Sequence, residues 1–262
     1  MTKEYFFTQK MCVGYEGKPI IKDIEIALQA GEILTLIGPN GAGKSTVLKS
    51  IAGQLRILGG AAWLGGEILS RMHREERAKK MSVLLTDRLQ TELMTCRDVV
   101  ASGRYPYTGR LGILSKKDNQ IIDEAMDLVH IAGMEGVDFH KISDGQKQRV
   151  MLARAICQEP EILILDEPVS WLDIKYKLEF LALLLEMREK RGLTVVMSMH
   201  ELDLAKIASD KILCLKGEYV FRYGTPQQVF VPGVIEELFD IDEAKLSSNE
   251  MFLSYVRQMG RL

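Results

Sequence analysis

The chain has 262 residues, 47% of them hydrophobic and 27% charged, which suits one large domain or two lobes with a real core and excludes a mostly disordered polypeptide. Its 34 basic and 36 acidic residues leave a formal net charge of -2, which argues against a protein that coats nucleic acid. No uncharged apolar run approaches the ~18 residues of a membrane helix. Lys3, Glu4 and the short Phe6-Phe7 pair do not read as a signal peptide. The cysteines (Cys12, Cys96, Cys157, Cys214) have no paired spacing and read as reduced, mostly buried thiols.

In chain order, Tyr5 to Phe7 and Ile20 to Leu28 are rich in β-formers and predict antiparallel strands. Glu32 to Ile37 is an apolar run ending at Gly38, the pattern of a strand buried on both faces of a parallel sheet. A helix is expected from Lys44 to about Ala52, stopped by Gly53. Gly59 to Leu69 suggests a hairpin returning to the first strands, and Met81 to Leu85 another short strand. From Arg88 to Cys157 the pattern turns helical, at Arg97–Ser102, Asp118–Ala132 and Gln146–Cys157. Strands are expected again at Ile162–Leu165 and Thr194–Met197, with a helix over Lys175–Lys190 between them. A hairpin (Lys211–Leu215, Glu218–Phe221) and a short helical tail follow.

Gly38-Pro39-Asn40-Gly41-Ala42-Gly43-Lys44-Ser45-Thr46 matches the P-loop pattern G-x-x-x-x-G-K-[ST], between an expected strand and an expected helix. Glycines let backbone N–H groups turn inward around phosphate oxygens. The helix start adds positive potential. Lys44 is expected to reach the β- and γ-phosphates of a nucleotide and Ser45 to offer a hydroxyl to Mg²⁺. Ile162 to Leu165 would deliver Asp166 at a strand end to hold Mg²⁺, with Glu167 next to it able to orient or deprotonate an attacking water.

With these motifs in this order, the chain resembles the ABC transporter ATPases. Ile142-Ser143-Asp144-Gly145-Gln146-Lys147-Gln148-Arg149 is similar to their LSGGQ signature, just before the Asp166 strand. Ser143 with Gln146 three residues on also reads as a helix-capping box, and the two readings are compatible. The resemblance implies an α/β P-loop core (1–87 and 158–262) with an N-terminal antiparallel β subdomain and an inserted helical subdomain (88–157). It also implies a homodimer with ATP at its interface, where Ser143, Gly145 and Gln146 face the nucleotide held by the other subunit. Tyr15 matches the aromatic residue that stacks on adenine. Asp173 matches the loop after Asp166-Glu167, in which Trp171 stands where a small residue is usual. His200 matches the residue that senses the γ-phosphate.

Two positions depart from the family pattern. Asp144 replaces the second signature glycine, and no glutamine follows Ser82-Val83-Leu84-Leu85, where Thr86 and Asp87 stand instead; Asp87 becomes a candidate metal ligand. Val99 to Tyr107, with Arg104-Tyr105-Pro106-Tyr107, resembles the segment found in importers of iron–siderophore, haem and vitamin B12, and suggests a permease-coupling surface. The family reading is an ATPase bound peripherally at the cytoplasmic face of the inner membrane, energising a separate permease and served indirectly by a substrate-binding protein. The alternatives are a soluble ABC ATPase acting as an assembly or nucleic-acid factor, and an exporter ATPase.

Overall fold

Met1–Arg71 and Thr194–Leu262 form one unit of the computed structural model, and Met72–Leu193 forms the other. Residues 4–85, 93–109, 111–170 and 172–241 are described. The first unit begins with β1 (Phe6–Tyr15), β2 (Lys18–Ile24), β3 (Ala27–Leu28) and β4 (Ile33–Ile37). It continues through α1 (Lys44–Ile51), β5 (Gly59–Leu64) and β6 (Glu67–Ile68). The second unit contains α2 (Arg74–Lys80), β7 (Met81–Leu84), α3 (Cys96–Ala101), a 3₁₀ turn (Ser102–Tyr107) and α4 (Lys116–Leu128), then α5 (Asp144–Cys157), β8 (Ile162–Leu165) and α6 (Ile174–Arg191). The chain returns to the first unit as β9 (Thr194–Ser198), α7 (Leu202–Ala208), β10 (Lys211–Lys216), β11 (Tyr219–Gly224), α8 (Pro226–Val229) and α9 (Val234–Leu238).

In the first unit, β1 pairs antiparallel with β2, β3 and β5, and β5 with β6, as the early β-formers suggest. β4 lies between β9 and β10, parallel to both, and β11 closes antiparallel on β10. The apolar run becomes the central strand because every residue of β4 is buried. Each of its aliphatic side chains contributes about 1.5–3 kcal/mol by leaving water. Thr35 is the polar member of the run, and its Oγ1 shares a hydrogen bond of 2.6 Å with Ser209 Oγ. A buried hydroxyl without that partner would cost more than it returns.

In the second unit, β7 and β8 pair in parallel with Leu84 opposite Leu165. Capping boxes start α3 (Thr95 with Asp98), α4 (Ser115 with Asp118) and α5 (Ser143 with Gln146). Each cap is worth about 1 kcal/mol by satisfying backbone N–H groups at a helix start. α4 buries Ile121, Ile122, Ala125 and Met126, the stripe its spacing predicts. α2 has no counterpart in the sequence reading. It buries none of its residues, so no apolar period announces it. Its order comes instead from Glu75 and Glu76 in the first turn and Arg77, Lys79 and Lys80 in the last, which oppose the helix dipole. α2, β7, β8 and α6 group with the helical segment in the second unit.

The cysteines are free; Cys96, Cys157 and Cys214 are buried, while Cys12 is half-buried. Burial pushes the thiols of Cys157 and Cys214 up to about 12, so both remain inert thiols at neutral pH.

Candidate nucleotide site

The parallel strands of the first unit end side by side. Leu36 of β4 pairs with Ser198 of β9, and Ile37 with Cys214 of β10. The chain leaving β4 therefore forms the P-loop at the carboxyl edge of the sheet, where open α/β sheets bind ligands. His200 lies two residues beyond Ser198 on the same edge and is exposed.

The loop's glycines have identifiable reasons. Gly38 has φ +147°, and a Cβ there would sit 2.1 Å from the carbonyl oxygen of Leu215. Gly43, with φ +88°, is the N-cap of α1, and a Cβ there would lie 2.6 Å from Ile21 Cδ1. Only glycine lets the backbone pass between these neighbours and still aim N–H groups inward. Lys44, 5% exposed, donates from Nζ to the carbonyl oxygens of Gly38 (2.8 Å) and Pro39 (3.1 Å). Its charge is thereby held over the mouth of the cradle. Ser45 and Thr46 follow in the first turn of α1, half-buried and buried. Thr46 Oγ1 donates to Tyr15 Oη at 3.4 Å, so the 44% exposed tyrosine ring stands beside α1. Asn40 and Gly41 are exposed and Ala42 is buried. The cradle suits a polyphosphate: it has fixed donors, a buried cation and no side chain in the way.

In the second unit, Asp166 ends β8 and is 3% exposed; its N–H donates to Leu84 O at 2.9 Å. Glu167 is half-buried with φ +49°, a left-handed backbone for a residue that Pro168 further restricts. Such a conformation costs about 1–3 kcal/mol and needs outside support. Support comes from Ser170, whose N–H donates to Glu167 O and whose hydroxyl donates to Glu167 Oε2, both at 3.3 Å. Gln148 of α5 adds a bond from Nε2 to Pro168 O at 2.7 Å. The sequence shows Gln148 only as part of the signature segment. Its contact depends on a partner 20 residues away, which no local spacing announces.

Ser143 caps α5, with its Oγ accepting from Gln146 N (3.3 Å) and Gln146 Oε1 accepting from Ser143 N (2.9 Å). Ser143 and Gln146 are exposed and Gly145 is half-buried. The signature thus presents a capped helix start at the surface of its unit. The Asp144 side chain is 81% exposed and pairs with Lys147 at 3.7 Å. Asp173 caps α6 by accepting from Tyr176 N at 3.2 Å. Thr86, Asp87 and Trp171 lie outside the described residues.

The chain matches the ABC transporter family over residues 21–170. The chain belongs to that family. Among its relatives, an uncharacterized ABC transporter ATP-binding protein of Methanocaldococcus jannaschii is 40% identical over 92% of this chain and 83% of its own length. The iron(3+)-hydroxamate import ATP-binding protein of Bacillus subtilis is 35% identical over 90% of this chain and 87% of its own. The fold matches the ADP conformation of an ATP-binding cassette of an ABC transporter, with a TM-score of 0.78, 20% identity and coverage of 90% and 98%. As an ABC transporter ATPase, the chain binds nucleotide and hydrolyses ATP.

Family membership gives Arg104 to Tyr107 a context, but Arg104 is not part of any contact surface. It is 3% exposed. Its Nε donates to Asp118 Oδ1 (2.9 Å), and its Nη1 donates to Cys157 O (2.8 Å) and Glu159 Oε2 (3.0 Å). The Tyr107 ring covers the guanidinium at 3.9 Å. Arg104 ties the start of α4 to the end of α5, and Tyr105, 64% exposed, is the residue the segment offers most fully to solvent.

Proposed function

We propose that this ATPase energises the import of a chelated iron compound, of the iron–siderophore type, through a separate membrane permease. The glycine cradle with Lys44 held over it carries the hydrolysis reading. The import reading rests on kinship with the iron(3+)-hydroxamate import ATP-binding protein. The chain works as a homodimer with two ATP molecules at the interface, peripheral to the cytoplasmic face of the membrane. Tyr105 belongs to its permease contact, and a substrate-binding protein delivers the cargo from the other side.

Within each site, Tyr15 stacks on the adenine, and the N–H groups of 38–46 with Lys44 bind the phosphates. Ser45 and Asp166 are a hard hydroxyl and a hard carboxylate, the donor types that suit Mg²⁺, which when bound neutralises phosphate charge. Glu167 accepts a proton from water as the water oxygen attacks the γ-phosphorus. The bond to the β–γ bridging oxygen breaks, and ADP and phosphate leave. Ser143, Gly145 and Gln146 offer the α5 N-terminus to the γ-phosphate bound by the partner subunit, and His200 senses that phosphate from its own sheet edge. The test is reconstitution of the chain with its permease in liposomes. ATP-dependent uptake of a ferric hydroxamate is expected, and ATP hydrolysis that no iron chelate or permease stimulates would contradict the import reading.

A further inference from the structure

The second unit carries an exposed patch that hydrolysis does not use. α2 exposes Arg74, Glu75 and Lys79, while Lys80 is paired with Glu76, so the helix keeps a net positive charge. Lys79 Nζ lies 5.6 Å from the ring centroid of Tyr107, the same ring that lies 3.9 Å from the Arg104 guanidinium. Arg104 grips Asp118 in the first turn of α4. α2, the 3₁₀ turn and the start of α4 are therefore joined in one piece. Just ahead of α4, Leu111 and Ile113 are 83% and 69% exposed, and Lys116 and Lys117 follow, both exposed.

Two aliphatic side chains in water, followed within six residues by two exposed lysines, do not serve the unit's own packing. Their occupant must accept both apolar tips and positive charge. We propose that this patch docks on the anionic phospholipid headgroups around the permease, with Leu111 and Ile113 entering the boundary between headgroups and acyl chains. Lysines and arginines near such a surface gain from its negative potential. Apolar side chains gain by leaving water, and stable attachment needs both signals. Charge also separates lipid from a protein partner. Permease cytoplasmic loops carry an excess of Lys and Arg, which would repel this patch. The inference rests on the proposed place of the chain beside a membrane. Vesicle binding itself needs neither permease nor ATP, so its failure would leave the transport reading standing.

The experiment is co-sedimentation of the full chain with vesicles of phosphatidylcholine alone or mixed with phosphatidylglycerol, at low and high salt. Binding is expected only to the anionic vesicles, and it should weaken with salt. With about a fivefold contribution per cation, Lys116→Gln with Lys117→Gln should lower the partition coefficient about 25-fold. Leu111→Ser with Ile113→Ser should also release the chain, while its ATPase rate and melting temperature stay at wild-type values. Three results would overturn the proposal: no binding to anionic vesicles, equal binding by wild type and both double variants, or variants that bind vesicles normally but no longer co-purify with the permease. The last would assign the patch to a protein.

Discussion

Arg104→Ala should destabilise the second unit far more than any neighbouring change. The substitution takes a buried guanidinium away from Asp118, the Cys157 carbonyl, Glu159 and the Tyr107 ring. Removing one partner of a buried ion pair costs about 3–5 kcal/mol. The lower end applies, for two reasons. Asp118 keeps bonds from Ser115 N (2.9 Å) and Ser115 Oγ (2.6 Å), and the Glu159 side chain is 45% exposed and can hydrate. For a chain of this size, ~3 kcal/mol corresponds to a melting temperature lower by about 6–12 °C. The pH dependence follows from Asp118. Its bonds from Ser115 lower the carboxyl below the usual range, burial opposes them, and Arg104 lowers it further. The folded pKa is below the unfolded one, so this stabilisation is complete above the unfolded value. It is lost as pH falls through the folded value. The depression shrinks in Arg104→Ala, so the gap between wild type and variant should narrow as pH drops below about 4. Thermal unfolding followed by circular dichroism measures both effects. Tyr105→Ala is the control, with a cost below about 0.5 kcal/mol because the side chain is largely in water. A melting temperature for Arg104→Ala within about 2 °C of wild type would refute the keystone role.

Gly38→Ala should cost about 2–4 kcal/mol by forcing a Cβ against Leu215 O, and a melting temperature like that of wild type would show that the loop can shift away. Lys44→Ala should lose most phosphate affinity, since a charge-assisted contact disappears; unchanged ATP binding by calorimetry would contradict the P-loop assignment. Tyr15→Ala should weaken ATP binding by about 1–3 kcal/mol if the ring stacks on the base, and equal binding of ATP and bare triphosphate by wild type would remove the stack. Asp144→Gly should keep or raise ATPase activity, because the carboxylate stands in solvent beside Lys147; a large loss with the fold intact would give Asp144 an unrecognised task.

Much of this was legible in the chain. The apolar runs of β4 and β8 announce strands because their burial leaves no polar alternation to obscure them. Ser143 and Gln146 announce a helix start because capping is local chemistry, and the structure contains both reciprocal bonds. What stayed hidden depends on distant partners. An arginine in a tyrosine-rich segment reads as exposed, and only the approach of Asp118 and the Cys157 carbonyl makes its burial affordable. The reason for Gly38 lies 177 residues away at Leu215. α2 could not be found by an apolar period that it does not have.

The most direct test of the account is phosphate release by purified wild type and Glu167→Gln, with bound ATP and molecular mass followed in parallel. The account predicts that Glu167→Gln binds ATP, accumulates as an ATP-bound dimer and hydrolyses roughly 10²–10⁴-fold more slowly, the range for losing a positioned general base. Turnover by Glu167→Gln at the wild-type rate would contradict it.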